Sequence, residues 1–259
     1  DELLSKRMYR ALRRKGPRQA SRTCPSSRHQ AMMWLYTLIP VAVAAAGAVW
    51  TTVQPPGPKV VSAIQHFAAG VIFYAAAGEI LPDAVHQGAV WPVILGGGVG
   101  IAAMLLMRRF TEGAEEGPAG LVAASGLDAL IDGLVLGLGF NAGQQQGALL
   151  AVALAIEFLF LGLSITGTFG KHASRWTVIG TTVGVSCGVP LGALIALPVA
   201  NLPRFWQSAA FAFGLIALLY LVTEELLTEA HERPETPWAT AAFFVGFLAL
   251  TVVSELMPS

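Results

Sequence analysis

Charged side chains are scarce in this chain: Asp, Glu, Lys and Arg make up 12% of its 259 residues. Soluble domains contain about 25% of such residues. The two cysteines, Cys24 and Cys187, are too few for a disulfide framework or a thiolate metal site. Cysteine and methionine also form no cluster of the kind that a Cu(I) path needs. Hydrophobic residues make up 54% instead, so the composition excludes an ordinary soluble domain and indicates an integral membrane protein.

Apolar runs of membrane-spanning length recur along the chain. A helix needs about 20 residues to cross a bilayer. The eight runs are 34–53, 60–81, 90–107, 121–140, 148–169, 178–199, 208–227 and 238–257. They are continuous and rich in Leu, Ala and Gly, without the strict alternation that strands require. Proline, glycine and charged residues separate them. The predicted fold is therefore an all-α bundle of eight transmembrane helices.

Basic residues are unevenly distributed, and they bear on domains and orientation. Residues 1–30 hold nine of the sixteen Lys and Arg and lack a packing pattern, so we predict a basic, disordered tail over 1–33 and a transmembrane domain over 34–259. The tail favours a cytoplasmic N-terminus, because cytoplasmic segments are enriched in Lys and Arg. The loops favour the opposite: with the N-terminus outside, only Arg204 of the loop cations lies outside. The loop cations that then lie inside are Lys59, Arg108, Arg109, Lys171, Arg175 and Arg233. We expect both termini outside a plasma (inner) membrane.

Asp128 and Asp132 lie four residues apart in the middle of the fourth run, and Glu157 lies near the middle of the fifth. Residues i and i+4 share one face of a helix. A charged side chain at the centre of a transmembrane helix costs roughly 2.5–3.5 kcal/mol on insertion scales. A bound cation is the simplest compensation. The alternative is that these carboxyl groups are protonated or accept hydrogen bonds from Ser and Thr of neighbouring helices.

Two further sets of polar residues mark the ends of the second and seventh runs. The first set is Glu79, Asp83 and His86, and the second is Glu225, Glu229 and His231. With both termini outside, the first set lies at the external end and the second at the cytoplasmic end, so we predict an entrance and an exit of an acidic path. Carboxylates and imidazoles suit hard or borderline divalent cations. The alternative is that these groups simply reach water at helix ends. His66 and His172 receive no role.

Around these residues the chain resembles the ZIP (Zrt/Irt-like) family of divalent-metal transporters. The segment Asp128-Ala129-Leu130-Ile131-Asp132-Gly133 stands in the frame of that family's fourth-helix motif, His-Asn-x-Pro-Glu-Gly. Glu157 stands at the His position of the fifth-helix motif, and Gly162 matches its glycine. The likeness covers roughly residues 34–257. It implies eight helices, both termini outside, and Asp128, Asp132 and Glu157 as metal ligands.

The departures from the family pattern alter what the resemblance implies. Leu161 stands where the family has a bridging Glu, and Val189 stands where some members have another, so the second metal site is expected to be lost. Ile131 and Phe160 replace the motif prolines, which predicts more regular fourth and fifth helices. Oxygen ligands in place of histidine favour harder ions. The expected cargo is therefore shifted toward Mn²⁺ or Fe²⁺, with Zn²⁺ and Cd²⁺ left open.

The sequence thus predicts transport of a divalent cation through a single acidic site, as uptake toward the cytoplasm. The alternative is a ZIP-like protein that binds a metal or a proton as a sensor or structural partner without transporting it. We expect the metal ion and the lipid bilayer as partners, with a second copy of the chain as a candidate and no nucleic acid.

An intramembrane enzyme is a rival class that the sequence does not favour. Glu224-Glu225 resembles the beginning of a Glu-Glu-x-x-x-Arg protease motif. The position that requires Arg is occupied by Thr228 or Glu229, so the motif fails and no enzymatic activity is expected.

Overall fold

The computed structural model describes residues 27–54, 56–85, 90–112, 118–169, 174–231 and 237–257. Every regular element in these ranges is helical. Eight helices are long and apolar enough to cross a membrane, as predicted. Most of the predicted basic tail, residues 1–26, lies outside the described residues, as does His86.

The eight helices follow one another with short connections. They are α1 Ser27–Val53, α2 Pro58–Val85, α3 Val90–Glu112, α4 Pro118–Ala142, α5 Gln144–Phe169, α6 Arg175–Asn201, α7 Arg204–His231 and α8 Pro237–Leu256. Helix α1 begins inside the segment predicted as a tail. The compact unit described below runs from Met33 to Ser259.

Helices α2 and α7 each contain a π-helical stretch, Ala75–Ile80 in α2 and Leu221–Leu226 in α7. A proline inside a helix is expected to bend or end it, but α2 continues through Pro82 to Val85. A proline lacks a backbone N–H and crowds the carbonyl four residues earlier, and the π stretch that precedes Pro82 changes the hydrogen bonding of that turn. Such stretches occur frequently at functional sites.

Helices α4 and α5 are uninterrupted α-helices over their full lengths, as expected from the absence of the motif prolines. Helix α6 is less regular: its α-helical parts Arg175–Ser186 and Gly188–Ala196 meet at Cys187, and it ends in a 3₁₀ turn. The two helices that carry the central carboxylates are therefore continuous α-helices.

The most extensive packing occurs in four helix pairs: α4 with α6, α2 with α8, α2 with α7, and α3 with α7. Helix α5 contacts both α4 and α2 and so connects the α4–α6 pair to the helices around α2. It also lies close to α1, because a Cβ atom placed on Gly162 of α5 would come within 2.8 Å of the Ala48 backbone nitrogen. Small residues permit such close approaches between helices in lipid, where no hydrophobic force drives them together.

Glycines bring α6 against the backbone of α4 beside Asp132. A Cβ atom on Gly133 would lie 2.7 Å from the Cα atom of Val189, and one on Gly192 would lie 2.6 Å from the backbone nitrogen of Leu134. No side chain fits between the two backbones at these points. This face of α4 is closed by α6, which leaves the neighbouring face, with its carboxylates, turned toward α5.

The outer surfaces of α3 and α8 are apolar. Large side chains such as Trp91, Ile94 and Val99 on α3, and Phe244 and Leu248 on α8, are more than half exposed. An apolar surface of this extent is unfavourable in water but suits the hydrocarbon region of a bilayer. The polar groups considered next lie on the inner sides of the bundle.

Candidate metal centre

Three carboxylates meet between α4 and α5. One carboxylate oxygen from each of Asp128, Asp132 and Glu157 lies within 4.8 Å of the other two. The two aspartates are one helical turn apart on α4, and Glu157 projects from the middle of α5. These are the three residues that the sequence singled out, and the fold brings them together. Across the described ranges, no other three His, Cys, Asp or Glu side chains offer ligand atoms this close.

The cluster is buried and incompletely hydrogen-bonded. Asp132 is 2% exposed and Glu157 is 5% exposed, whereas Asp128 is partly exposed. The Oδ2 atom of Asp132 and the Oε2 atom of Glu157 have no hydrogen-bond partner. Buried polar atoms in native proteins are nearly always paired. Two unpaired, buried carboxylate oxygens facing one cluster are what a cation-binding site offers to its ion.

A carboxylate oxygen of Asp132 and one of Glu157 lie within 4.8 Å of each other. Two neighbouring carboxyl groups can share a hydrogen bond only when one of them carries a proton, because an ionised carboxylate has acceptors alone. The cluster can therefore hold a proton or a metal ion in the same place. Protonation, one of the alternatives raised by the sequence, is thus compatible with the geometry.

Hydroxyl groups do not account for the two unpaired oxygens. The buried Ser186 of α6 donates its hydroxyl proton to the Thr182 carbonyl at 2.8 Å, and Thr182 donates to the Val178 carbonyl at 3.0 Å. Both hydroxyls are used along their own helix. The alternative in which Ser and Thr of neighbouring helices satisfy the carboxylates therefore leaves Asp132 Oδ2 and Glu157 Oε2 unexplained.

The donor set consists of oxygen alone, and the positions around it are apolar. Ala129 and Phe158 are each 1% exposed, and Val189 is 0% exposed. Leu161, one turn from Glu157 on α5, is partly buried against the core. These four side chains offer no ligand for a metal ion, and the oxygen atoms of the cluster would suit Mn²⁺, Mg²⁺ or Ca²⁺ better than softer ions.

A fourth carboxylate approaches the centre from α7. Glu225 interacts electrostatically with Asp128, Asp132 and Glu157, and it is partly buried. The sequence placed Glu225 with the helix-end residues of the predicted exit. The structure adds it to the surroundings of the centre, and it lies within the π stretch Leu221–Leu226 of α7.

The neighbouring Glu224 lies in a different environment. It accepts a hydrogen bond from the Arg108 guanidinium of α3 at 3.1 Å, and the two side chains are 47% and 50% exposed. Glu224 and Glu225 therefore do not converge on one point, as a paired acidic motif would require.

The predicted entrance residues lie along the end of α2. Glu79 is 7% exposed and accepts a hydrogen bond from the Ser254 hydroxyl of α8 at 3.2 Å. Asp83 is partly buried and interacts electrostatically with Glu79. His86, the third member of this set, lies outside the described residues.

The predicted exit residues Glu229 and His231 lie at the end of α7, beside the first turns of α2. The Gln65 side-chain amide donates to Glu229 Oε2 at 2.9 Å. The ring of His66, to which the sequence assigned no role, lies 5.6 Å from the ring of His231. His66 is 3% exposed, although nothing in its local sequence distinguishes it from a histidine near a loop.

The chain matches no protein-family model and no curated protein at a significant level of similarity. The site itself is therefore the basis on which a function can be inferred.

Proposed function

We propose that this protein carries a divalent metal cation across a membrane through a single acidic site formed by Asp128, Asp132 and Glu157. The observation that carries the proposal is the position of these carboxylates. Their ligand oxygens lie within 4.8 Å of one another, midway along two helices of membrane-spanning length. Charges at such a depth are costly and usually mark a substrate or ion pathway. A divalent cation neutralises them and occupies the unpaired oxygens.

The cation is the substrate, and its chemistry follows from the donors. Asp132 and Glu157 supply buried oxygens, whereas the more exposed Asp128 lies one turn nearer the cytoplasmic end of α4 when both termini are outside, and it is the carboxylate of α4 that a departing ion leaves last. Any proton held by Asp132 or Glu157 would leave to water as the ion binds. Because all the donors are oxygens, we infer a preference for Mn²⁺ or Fe²⁺ over Zn²⁺ and Cd²⁺.

We further propose that the chain is a divergent member of the ZIP family. Support comes from the eight membrane-length helices and from the frame around Asp128, Asp132 and Gly133. The close contact of Gly133 with α6 supplies a physical reason for a glycine at that position of the frame. The loop cations support both termini outside, in a plasma membrane, with transport as uptake into the cytoplasm.

The proposal is tested by metal uptake into proteoliposomes that contain the purified protein. Wild-type protein should accumulate Mn²⁺ inside the vesicles, and the double variant Asp128→Asn/Asp132→Asn should not. Glu255→Gln is the control, because it also replaces a carboxylate by its amide, but at an exposed position at the end of α8. Equal uptake by the double variant and the wild type would eliminate the central site as the route of transport.

A binding protein without transport is the second candidate. It is favoured by the apolar side chains Leu161 and Val189, which stand where ZIP transporters have further carboxylates. Such a protein would bind Mn²⁺ to saturation in detergent but would not accumulate it in vesicles. The protease motif finds no support, because Glu224 and Glu225 lie in separate environments.

A further inference from the structure

A pair of histidines lies outside the central cluster, where the first turns of α2 meet the end of α7. The rings of His66 and His231 have their centroids 5.6 Å apart and are tilted by 55°. His66 is buried and His231 is exposed, so the pair extends from the interior of the bundle to its surface. The two residues are far apart in the chain, and only the packing of α7 on α2 brings them together.

Backbone carbonyls fix the orientation of both rings. The Nδ1 atom of His66 donates its proton to the Ser62 carbonyl at 2.8 Å, and the Nδ1 atom of His231 donates to the Leu227 carbonyl. A carbonyl oxygen can only accept, so each neutral ring has its lone pair on Nε2. Histidines that bind metals characteristically donate their other ring N–H to a carbonyl or carboxylate in this way.

An unpaired acceptor lies beside the pair. Gln65 is completely buried; its Nε2 atom donates to Glu229 at 2.9 Å, and its Oε1 atom has no hydrogen-bond partner. Gln65 precedes His66 directly, and Glu229 is two residues from His231. A buried, unpaired amide oxygen is costly unless a ligand, a water molecule or an ion occupies it.

We propose that His66 and His231 form a second metal site, a two-imidazole site for Zn²⁺ or a similar borderline divalent cation, with the unpaired Gln65 Oε1 atom as a further oxygen donor nearby. The ring geometry fits. With Zn–N bonds of about 2.0–2.1 Å and a tetrahedral angle, two coordinated imidazole rings have centroids about 5 Å apart. The observed 5.6 Å requires only a small adjustment, and the exposed position of His231 gives an ion access.

The second site is distinct from the centre in both place and chemistry. The centre offers oxygen alone, whereas the histidine pair offers nitrogen, which favours Zn²⁺, Ni²⁺ and Cu²⁺. Glu225 and Glu229 lie one turn apart near the end of α7, so α7 presents carboxylates from the centre toward the pair. A role for the pair in metal release rests on the proposed function, but the binding of Zn²⁺ to it does not.

Calorimetric titration of the purified, full-length protein with Zn²⁺ tests the proposal. The background variant Asp128→Asn/Asp132→Asn disables the centre and isolates the histidine pair. In this background we expect Zn²⁺ to bind. His66→Ala and His231→Ala should each weaken Zn²⁺ binding by more than ~100-fold. Loss of a residue that only supports a metal ligand typically lowers metal affinity by about 10–100-fold. Thr228→Ala, an exposed change on the same turn of α7, is the control and should bind as the background does.

His66 is buried, so its variant can lose affinity through misfolding, whereas His231 is exposed and its variant is a safer measure of the ligand. X-ray absorption of Zn²⁺ bound to the background variant adds a direct test, since coordinated imidazoles have a characteristic scattering pattern. Absence of Zn²⁺ binding, unchanged affinity in the His231 variant, or an oxygen-only coordination shell would each overturn the proposal. The proposed function fails by a different result, namely Mn²⁺ binding that survives the loss of Asp128 and Asp132.

Discussion

Asp132→Asn separates a metal-binding carboxylate from a structural one. The three carboxylates have ligand oxygens within 4.8 Å of one another. At that distance, and with an effective dielectric constant of ~20, two ionised carboxylates repel each other by about 3.5 kcal/mol. The substitution keeps the shape of the side chain and removes its repulsion with both Asp128 and Glu157. Proton uptake relieves part of this repulsion in the wild type, so we expect the metal-free variant to be more stable by about 1–3 kcal/mol.

Added metal should instead stabilise the wild type and leave the variant unchanged. An ion that binds only the folded protein stabilises it by about 2.7 kcal/mol when its concentration is a hundred times the dissociation constant. For a chain of this size that corresponds to a rise in the unfolding temperature of roughly 5–10 °C. The wild type should show this rise with Mn²⁺, and Asp132→Asn should not.

The assay is thermal unfolding in detergent, followed by tryptophan fluorescence, with and without Mn²⁺. Glu255→Gln serves as the control and should keep the wild-type response. A metal-free Asp132→Asn protein that is less stable than the wild type, and that still responds to Mn²⁺, would refute the reasoning. Asp132 would then be an acceptor needed for packing, and the cluster would not be the metal site.

Three further substitutions test the centre and its supports. Leu161→Glu adds a carboxylate on α5 one turn after Glu157. Calorimetry should then show two Mn²⁺ ions bound per chain instead of one. Gly192→Ala forces α6 away from α4, so it should lower the free energy of unfolding by roughly 1–3 kcal/mol and weaken Mn²⁺ binding. Gly184→Ala is the control, because a Cβ atom there has nothing within 4 Å. In the same unfolding assay it should be neutral or stabilising by up to ~1 kcal/mol. Ser254→Ala removes the donor to the buried Glu79 and should lower stability by about 1–3 kcal/mol, measured by the unfolding temperature.

The number and type of the helices could be predicted because the membrane imposes them. A segment that crosses hydrocarbon must satisfy its own backbone and present apolar side chains, so every span leaves a continuous apolar run. The ends of the helices could be predicted less accurately from the sequence. The seventh run predicted 208–227, and α7 extends over Arg204–His231. Hydropathy marks the part that lies in hydrocarbon, whereas a helix continues with polar residues beyond it.

The central site could be predicted from the sequence for a related reason. The spacing of Asp128 and Asp132 places them on one face of any helix, and Glu157 stands out in a run that is otherwise apolar. Glu225 and His66 could not be placed in the same way. Their surroundings depend on which helices pack against α7 and on the π stretch that alters its register. Neither the pairing of distant helices nor a π stretch leaves a periodic signal in the sequence.

With both sites in place, selectivity for Mn²⁺ would arise from release more than from capture. Divalent ions of the first transition row bind almost any site of nitrogen and oxygen donors more tightly toward the end of the series, so no arrangement of ligands makes Mn²⁺ the tightest binder. The oxygen-only centre reduces the advantage of Zn²⁺, whereas the histidine pair increases it. Zn²⁺ that passes the centre would therefore be retained by His66 and His231, and Mn²⁺ would leave. A path that begins at the oxygen-only centre and ends at the histidine pair would thus conduct Mn²⁺ and would be inhibited by Zn²⁺.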